Sequence, residues 1–107
     1  MNHIELAGDA CGNPLVRVQL AKTGSSAVLH LTDYARVLTT IGTASWFLDS
    51  NGRGKTYVRA WHPVLRRNVM VARIVLGVES GNIRHQDGDP LNLRRGNLVR
   101  PKRHRTI

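Results

Sequence analysis

Cysteine is almost missing from this chain: Cys11 is the only one among 107 residues. That excludes an intramolecular disulfide and a thiolate zinc site, and gives no sign of an oxidising compartment. A long apolar run is lacking too. The longest, Val69 to Leu76, is interrupted by Arg73 and falls short of the ~20 residues that span a bilayer. The opening Met1-Asn2-His3-Ile4-Glu5 has neither the basic start nor the apolar stretch of a secretory signal, and neither end carries a lipidation motif. We therefore expect a cytoplasmic protein with no membrane partner. Room for separate cofactor and substrate domains is also lacking, because a chain of this size buries only about 65% of its unfolded surface. With 41% apolar and 21% charged residues, the composition fits one folded domain over residues 1–107.

Negative charge is scarce: 7 Asp and Glu face 16 Lys and Arg, for a formal net charge of +9. The scarcity is local. In residues 1–51, Arg17, Lys22 and Arg36 stand against Glu5, Asp9, Asp33 and Asp49, leaving this half nearly neutral. Residues 52–107 hold every other cation against only Glu79, Asp87 and Asp89. A field so one-sided attracts polyanions, and nucleic acid is the usual one. An anionic membrane surface calls for a basic amphipathic helix, which the pattern does not provide. The plainer reading is a solvated basic surface that aids solubility.

Residues 14–20 alternate apolar with polar after Leu15 and read as a strand, paired through a turn at 22–26 with a second strand at 27–31. Thr32 or Asp33 is placed to cap a helix in which Tyr34, Val37, Leu38 and Ile41 share a face until Gly42 ends it. Trp46 and Phe47 are expected in the core. The turn-rich stretch from Asp49 to Gly54 separates the neutral part, 1–51, from the basic part, 52–107. Residues 56–61 and 69–71 read as a second hairpin, and 72–77 as either its continuation or a short helix. Alternation puts Tyr57, Arg59 and Trp61 on one face of this hairpin, and a two-stranded ribbon fits a major groove. Trp46 is expected to pack, Trp61 to stack on bases or, in preference, to pack under the basic face, Cys11 to be a buried or mobile bystander, and His3, His30 and His62 to serve packing or surface roles. A short strand is expected at 97–99, followed by a loosely held basic tail.

The most informative stretch runs from Ile83 to Leu98. Asp87-Gly88-Asp89-Pro90 is a turn in which Gly88 takes positive φ and the carboxylates accept local backbone N–H bonds. Asn97 lies far enough beyond His85 for its amide to close the loop's base. His85, Asp87, Gly88, Asp89, Leu91, Asn92, Arg94, Asn97 and Leu98 fall in the register Asp-His-x-Asn/Asp-Gly-Asx-x-Leu-Asx-Asn-Arg-x-x-Asn-Leu. The segment thus resembles the central motif of phage-type HNH homing endonucleases. Leu31-Thr32-Asp33-Tyr34, Trp46, Tyr57-Val58-Arg59 and Arg73-Ile74-Val75-Leu76-Gly77 occur upstream in the family's order, so the resemblance covers roughly residues 15–98. It implies a ββα-metal hairpin in which His85 takes a proton from water, Asn97 pins the histidine, and a divalent ion such as Mg²⁺ stabilises the leaving oxygen.

The pattern is broken in several places. Arg84 stands where a metal-binding acid precedes the histidine, and a guanidinium cannot ligate a cation. The second ligand position falls on Thr106, with His104 nearby, and Ile107 leaves no room for the closing helix. Ala72 replaces a histidine found in many relatives. Asp87, Asp89 and His104 remain only weak metal candidates, and no cofactor is expected unless cleavage survives.

These readings lead us to expect an α+β domain: a small antiparallel sheet on one short helix, followed by a truncated HNH-like hairpin. The expected function is DNA binding, on duplex above all, with RNA as an alternative partner. The expected contacts are Arg53, Lys55, Arg59, Arg66 and Arg67 in the second hairpin region, and Arg84, Arg94 and Arg95 around the motif. Arg100, Lys102, Arg103 and Arg105 add contacts from the tail. Two alternatives are a metal-dependent nickase using His85 and a phage-type protein that binds a host nucleoprotein or defence complex.

Overall fold

The chain forms an α+β fold, described by a computed structural model over residues 4–42, 45–50, 52, 54–78 and 81–100. Strands β1 (Ile4–Gly8), β2 (Pro14–Gln19) and β3 (Ser26–His30) make one antiparallel sheet in that order. Helix α1 (Leu31–Ile41) leads to a second antiparallel sheet of β4 (Trp46–Ser50), β5 (Thr56–His62) and β6 (Arg67–Met70), which runs into helix α2 (Val71–Leu76). A two-residue ladder of β7 (Arg84–His85) and β8 (Leu98–Val99) closes the chain, with a 3₁₀ turn at Arg95–Asn97. No described helix is long and apolar enough to cross a membrane.

Alternation builds the first sheet. Val16 and Val18 are fully buried while Arg17 and Gln19 face out, as a period of two demands. Strand β1 follows no such pattern: Ile4 and Leu6 are exposed, and the strand is held by its backbone ladder to β2. The loop between them is organised by Asp9, whose carboxylate accepts the N–H groups of Cys11 and Asn13. Cys11 is exposed rather than buried.

Helix α1 starts at Leu31 with no side-chain cap, so neither Thr32 nor Asp33 plays the expected capping role. Gly42 ends it as expected, at φ 72° with its N–H bonded to the Leu38 carbonyl. The ambiguous stretch at 72–77 belongs to a second helix, Val71–Leu76, which Gly77 terminates at φ 71°. Helix α1 packs on α2 and on β2, β3 and β5, enclosing a core of Leu29, Val37, Trp46, Val58, Val71, Val75 and Leu93. Trp46 meets Tyr34 ring to ring at 5.9 Å, a tilted contact that adds to its area burial. Phe47 points away from that core, because cross-strand pairing with Arg59 puts it on the opposite sheet face.

The C-terminal hairpin is locked onto this body at two places. Val28 donates to the Leu91 carbonyl and accepts from the Leu93 N–H, so residues 91–93 extend the edge of β3. Arg95, expected to contact nucleic acid, instead donates to the Asp33 carboxylate at 3.0 Å and to the Val75 carbonyl. The Asp33 side chain is only 8% exposed, and a buried carboxylate without its cation is costly. Arg95→Met is therefore expected to lower stability by about 2 kcal/mol, discounted for the partial exposure of the arginine, or roughly 8–12 °C in Tm. Thermal unfolding measures this, and adding Asp33→Asn to the variant should recover part of the loss.

Candidate nucleic-acid interface

The loop between β7 and β8 is built around one carboxylate. Asp87 accepts from the Asp89 N–H at 2.9 Å and the Asn97 side-chain amide at 3.0 Å on Oδ1. Its Oδ2 accepts from the Asn92 amide at 2.8 Å. Asn97 in turn accepts the Asp87 N–H at 3.0 Å and donates to the Asn92 carbonyl at 3.0 Å. Both asparagines are buried, at 6% and 9% exposure, and a buried amide needs such complete pairing. Gly88 makes the turn at φ 76°, with its N–H on the His85 carbonyl. Asn92 matched the motif, but its structural role was missed in the sequence. Its only signal was an amide between Leu91 and Leu93.

This geometry bears directly on metal binding. Three hydrogen bonds occupy the Asp87 carboxylate, and one Asp89 oxygen accepts the Leu91 N–H at 2.9 Å. Arg84 brings a positive charge to the same ladder. Among the described residues, no three of His, Cys, Asp and Glu come together in a way that could hold a metal ion. The described residues do not fit a divalent cation at His85, and His104 lies outside them.

The loop instead forms one wall of a cleft of about 220 Å³, with Ile83, Arg84, His85, Gly88 and Pro90 on one side. The other wall is the approach to β5 and its first residues: Gly54, Lys55, Thr56 and Tyr57. Lys55 and Arg84 are exposed there. The volume equals that of about seven waters, room for one tetrahedral anion and part of its hydration. The His85 ring is half-buried, and its Nε2 is inside with no hydrogen-bond partner. Burial holds the imidazole below the ordinary 6.5, outweighing the opposing pull of the Asp87 and Asp89 carboxylates.

The remaining candidates scatter. Arg59 sits beside Asp49 at 3.2 Å on the second sheet. Arg66 is exposed in the β5–β6 turn at φ 56°, and Arg67 is exposed at the start of β6. Arg94 donates from Nε to the Asn92 amide oxygen at 3.0 Å, and the Arg100 guanidinium lies over Gly81. Arg53, Lys102, Arg103 and Arg105 fall outside the described residues. Of the described candidates, only Lys55 and Arg84 share a cleft with His85. His62 is structural, since its Nδ1 accepts the N–H groups of Val64 and Leu65 at 3.2 Å each and shapes the turn. His30 lies 3.7 Å from the Asp9 carboxylate.

No family model matches the chain, and no curated protein or solved structure is significantly similar to it.

The Asp87 carboxyl is held down to about 2, first by the Asn92 amide and then by the Asp89 N–H, against an ordinary value of 3.8. A depressed carboxyl stabilises the fold when ionised, so its contribution is complete above about pH 4 and is lost as pH falls through about 2. Amide exchange at Asp87 and Asn97 is expected to rise across that window before the core opens. His85 should titrate below 6.5 by NMR. Asp89→Asn, which keeps an acceptor for the Leu91 N–H but removes a charge, should lower it further.

Proposed function

We propose that this chain is a DNA-binding protein in which an HNH-like hairpin serves as a phosphate-binding scaffold and not as a cleavage centre. The observation that carries this reading is the cleft where Lys55, just before β5, and Arg84 from β7 converge beside His85. A carboxylate at residue 84 would have favoured a cation. Arginine there adds a fork of donors suited to phosphate oxygens.

The electrostatics support the same assignment. Phosphate contacts place a protein on a polyanion without reading its sequence, and a small cleft with two cations on its walls suits that task. Other exposed cations, Arg66 and Arg67, lie on the hairpin that continues β5. Their attraction adds through-space to that of the cleft but is screened beyond ~8–10 Å at ordinary salt. Arg94 and Arg95 are engaged within the fold, so the binding charge is smaller than the net charge suggests.

Fluorescence anisotropy with a labelled duplex tests the reading. With six or more phosphate contacts, affinity is expected to fall about 10³-fold between 50 and 200 mM salt. The double variant Lys55→Ala, Arg84→Gln should weaken binding uniformly across sequences and reduce the salt slope by about 1 to 2. Absence of duplex binding at low salt would overturn the assignment. So would Mg²⁺-dependent nicking of supercoiled plasmid that His85→Ala abolishes, since that would make the cleft an enzyme's.

A further inference from the structure

We infer that the outward face of the second sheet is a stacking platform for single-stranded nucleic acid, continuous with the phosphate cleft. The inference rests on the nucleic-acid reading above and names the form of strand that the surface takes.

Register defines the face. Arg59 lies directly opposite Phe47 on β4 and Met70 on β6, Tyr57 opposite Asp49, and Trp61 opposite Asn68. Directly paired residues share a face, so by register Phe47, Tyr57, Arg59 and Trp61 lie on the side away from Trp46, Val58 and Ala60. Three of the five aromatic residues in the chain thus share the face of Arg59, where Tyr57 is half-buried and packs against the core, the Arg59 Nε is buried, and Met70 at the edge is buried. Trp61 is 49% exposed, and Phe47 and Trp61 lie outside the buried core cluster. The expectation that Trp61 packs is therefore corrected: it stands on an outer face. The single acid of this face, Asp49, is paired with Arg59 at 3.2 Å.

Dimensions decide between duplex and single strand. The sequence suggested a two-stranded ribbon able to enter a major groove, but β5 is the central strand of three. Three strands spaced ~4.8 Å apart are ~10 Å across between outer backbones before side chains are added. With side chains they exceed a groove ~12 Å wide. A duplex also keeps its base faces stacked inside, where Trp61 and Phe47 cannot reach them. A single strand offers both faces of every base, which is what aromatic side chains beside a cation recognise. The row from Tyr57 to Trp61 is roughly 13 Å long at the rise of a strand, enough for more than one base. Tyr57 also lines the Lys55–Arg84 cleft. A strand anchored there by a phosphate can therefore run its bases along β5.

The test uses the full chain, titrated with oligothymidine, oligouridine and a duplex at low salt. The intrinsic fluorescence comes from two tryptophans, of which Trp46 is fully buried and Trp61 is half-exposed. Either single strand is expected to quench the Trp61 emission. Trp61→Ala should weaken single-strand binding roughly 5- to 150-fold and leave duplex affinity within about twofold. Trp61→Phe should retain most of the single-strand affinity. Unequal binding of the two oligomers would tell DNA from RNA and support the platform in either case. The inference fails if Trp61→Ala binds both single strands as the parent does, if it loses duplex and single-strand affinity equally, or if saturation leaves the Trp61 emission unchanged. Duplex binding without single-strand binding would sink this inference alone; no binding of any of the three would also remove the reading it rests on.

Discussion

The arrangement of the C-terminal half depends on one carboxylate held between two buried amides. Asp87 is bound by Asn92 and Asn97, and Asn97 also closes on the Asp87 N–H and the Asn92 carbonyl. Four hydrogen bonds join these groups, the two asparagines buried and Asp87 itself exposed. The energetic consequence is asymmetric: complete, the network costs little, while the loss of any member leaves a buried polar group unpaired. This closure fixes the chain reversal that pairs His85 with Leu98 and so determines where Arg84 points. It also sets the span of residues 91–93, which must reach Val28 to continue the edge of the first sheet.

Several arginines are engaged within the fold. Arg73 donates to the Gly81 carbonyl, Arg94 to Asn92, and Arg95 to Asp33 and Val75. Arg95 in particular joins the first turn of α1 to the last turn of α2 through a residue that belongs to the hairpin. Other cations lie elsewhere: Lys55 and Arg84 line the cleft, and Arg66 and Arg67 are exposed along the β5–β6 hairpin. Net charge alone cannot make this division, because an arginine contributes the same unit whether it binds a carbonyl or faces water.

What the sequence disclosed follows from how local each signal is. Alternation at Val16 and Val18, helical spacing at Tyr34, Val37 and Ile41, and the stop at Gly42 are all short-range, and each element formed where its pattern lay. The closure by the Asn97 amide was expected from the motif resemblance, and the amide reaches Asp87 and Asn92. Strand β1 was not readable, because Ile4 and Leu6 stay exposed and burial imposes no period on it. The second helix was hidden by its length of 6 residues, too few for periodicity to distinguish helix from strand. The fate of Arg95 was hidden for a different reason: its partner Asp33 is 62 residues away in sequence. Phe47 was expected in the core, and Trp61 was expected to pack in preference to stacking on bases. Which face they occupy depends on the β4–β5 and β5–β6 registers, which no local pattern specifies.

Residue 84 carries the chemical consequence. An acid there would add a negative charge to a wall already close to the Asp87 and Asp89 carboxylates, and that combination attracts cations. Arginine reverses the local sign, and its charge persists at any working pH. With Lys55 opposite, the cleft favours an anion, and the neighbouring imidazole, kept largely neutral by burial, neither adds to that attraction nor opposes it. An anion seated there would stabilise the protonated ring and raise its pKa. Occupancy and His85 protonation are thus linked: binding takes up protons near the ring's own pKa and is independent of pH well above it. The Asp87 network lies on the other side of that balance, since its carboxylate stays ionised through the whole range and holds the loop's geometry constant while the cleft titrates.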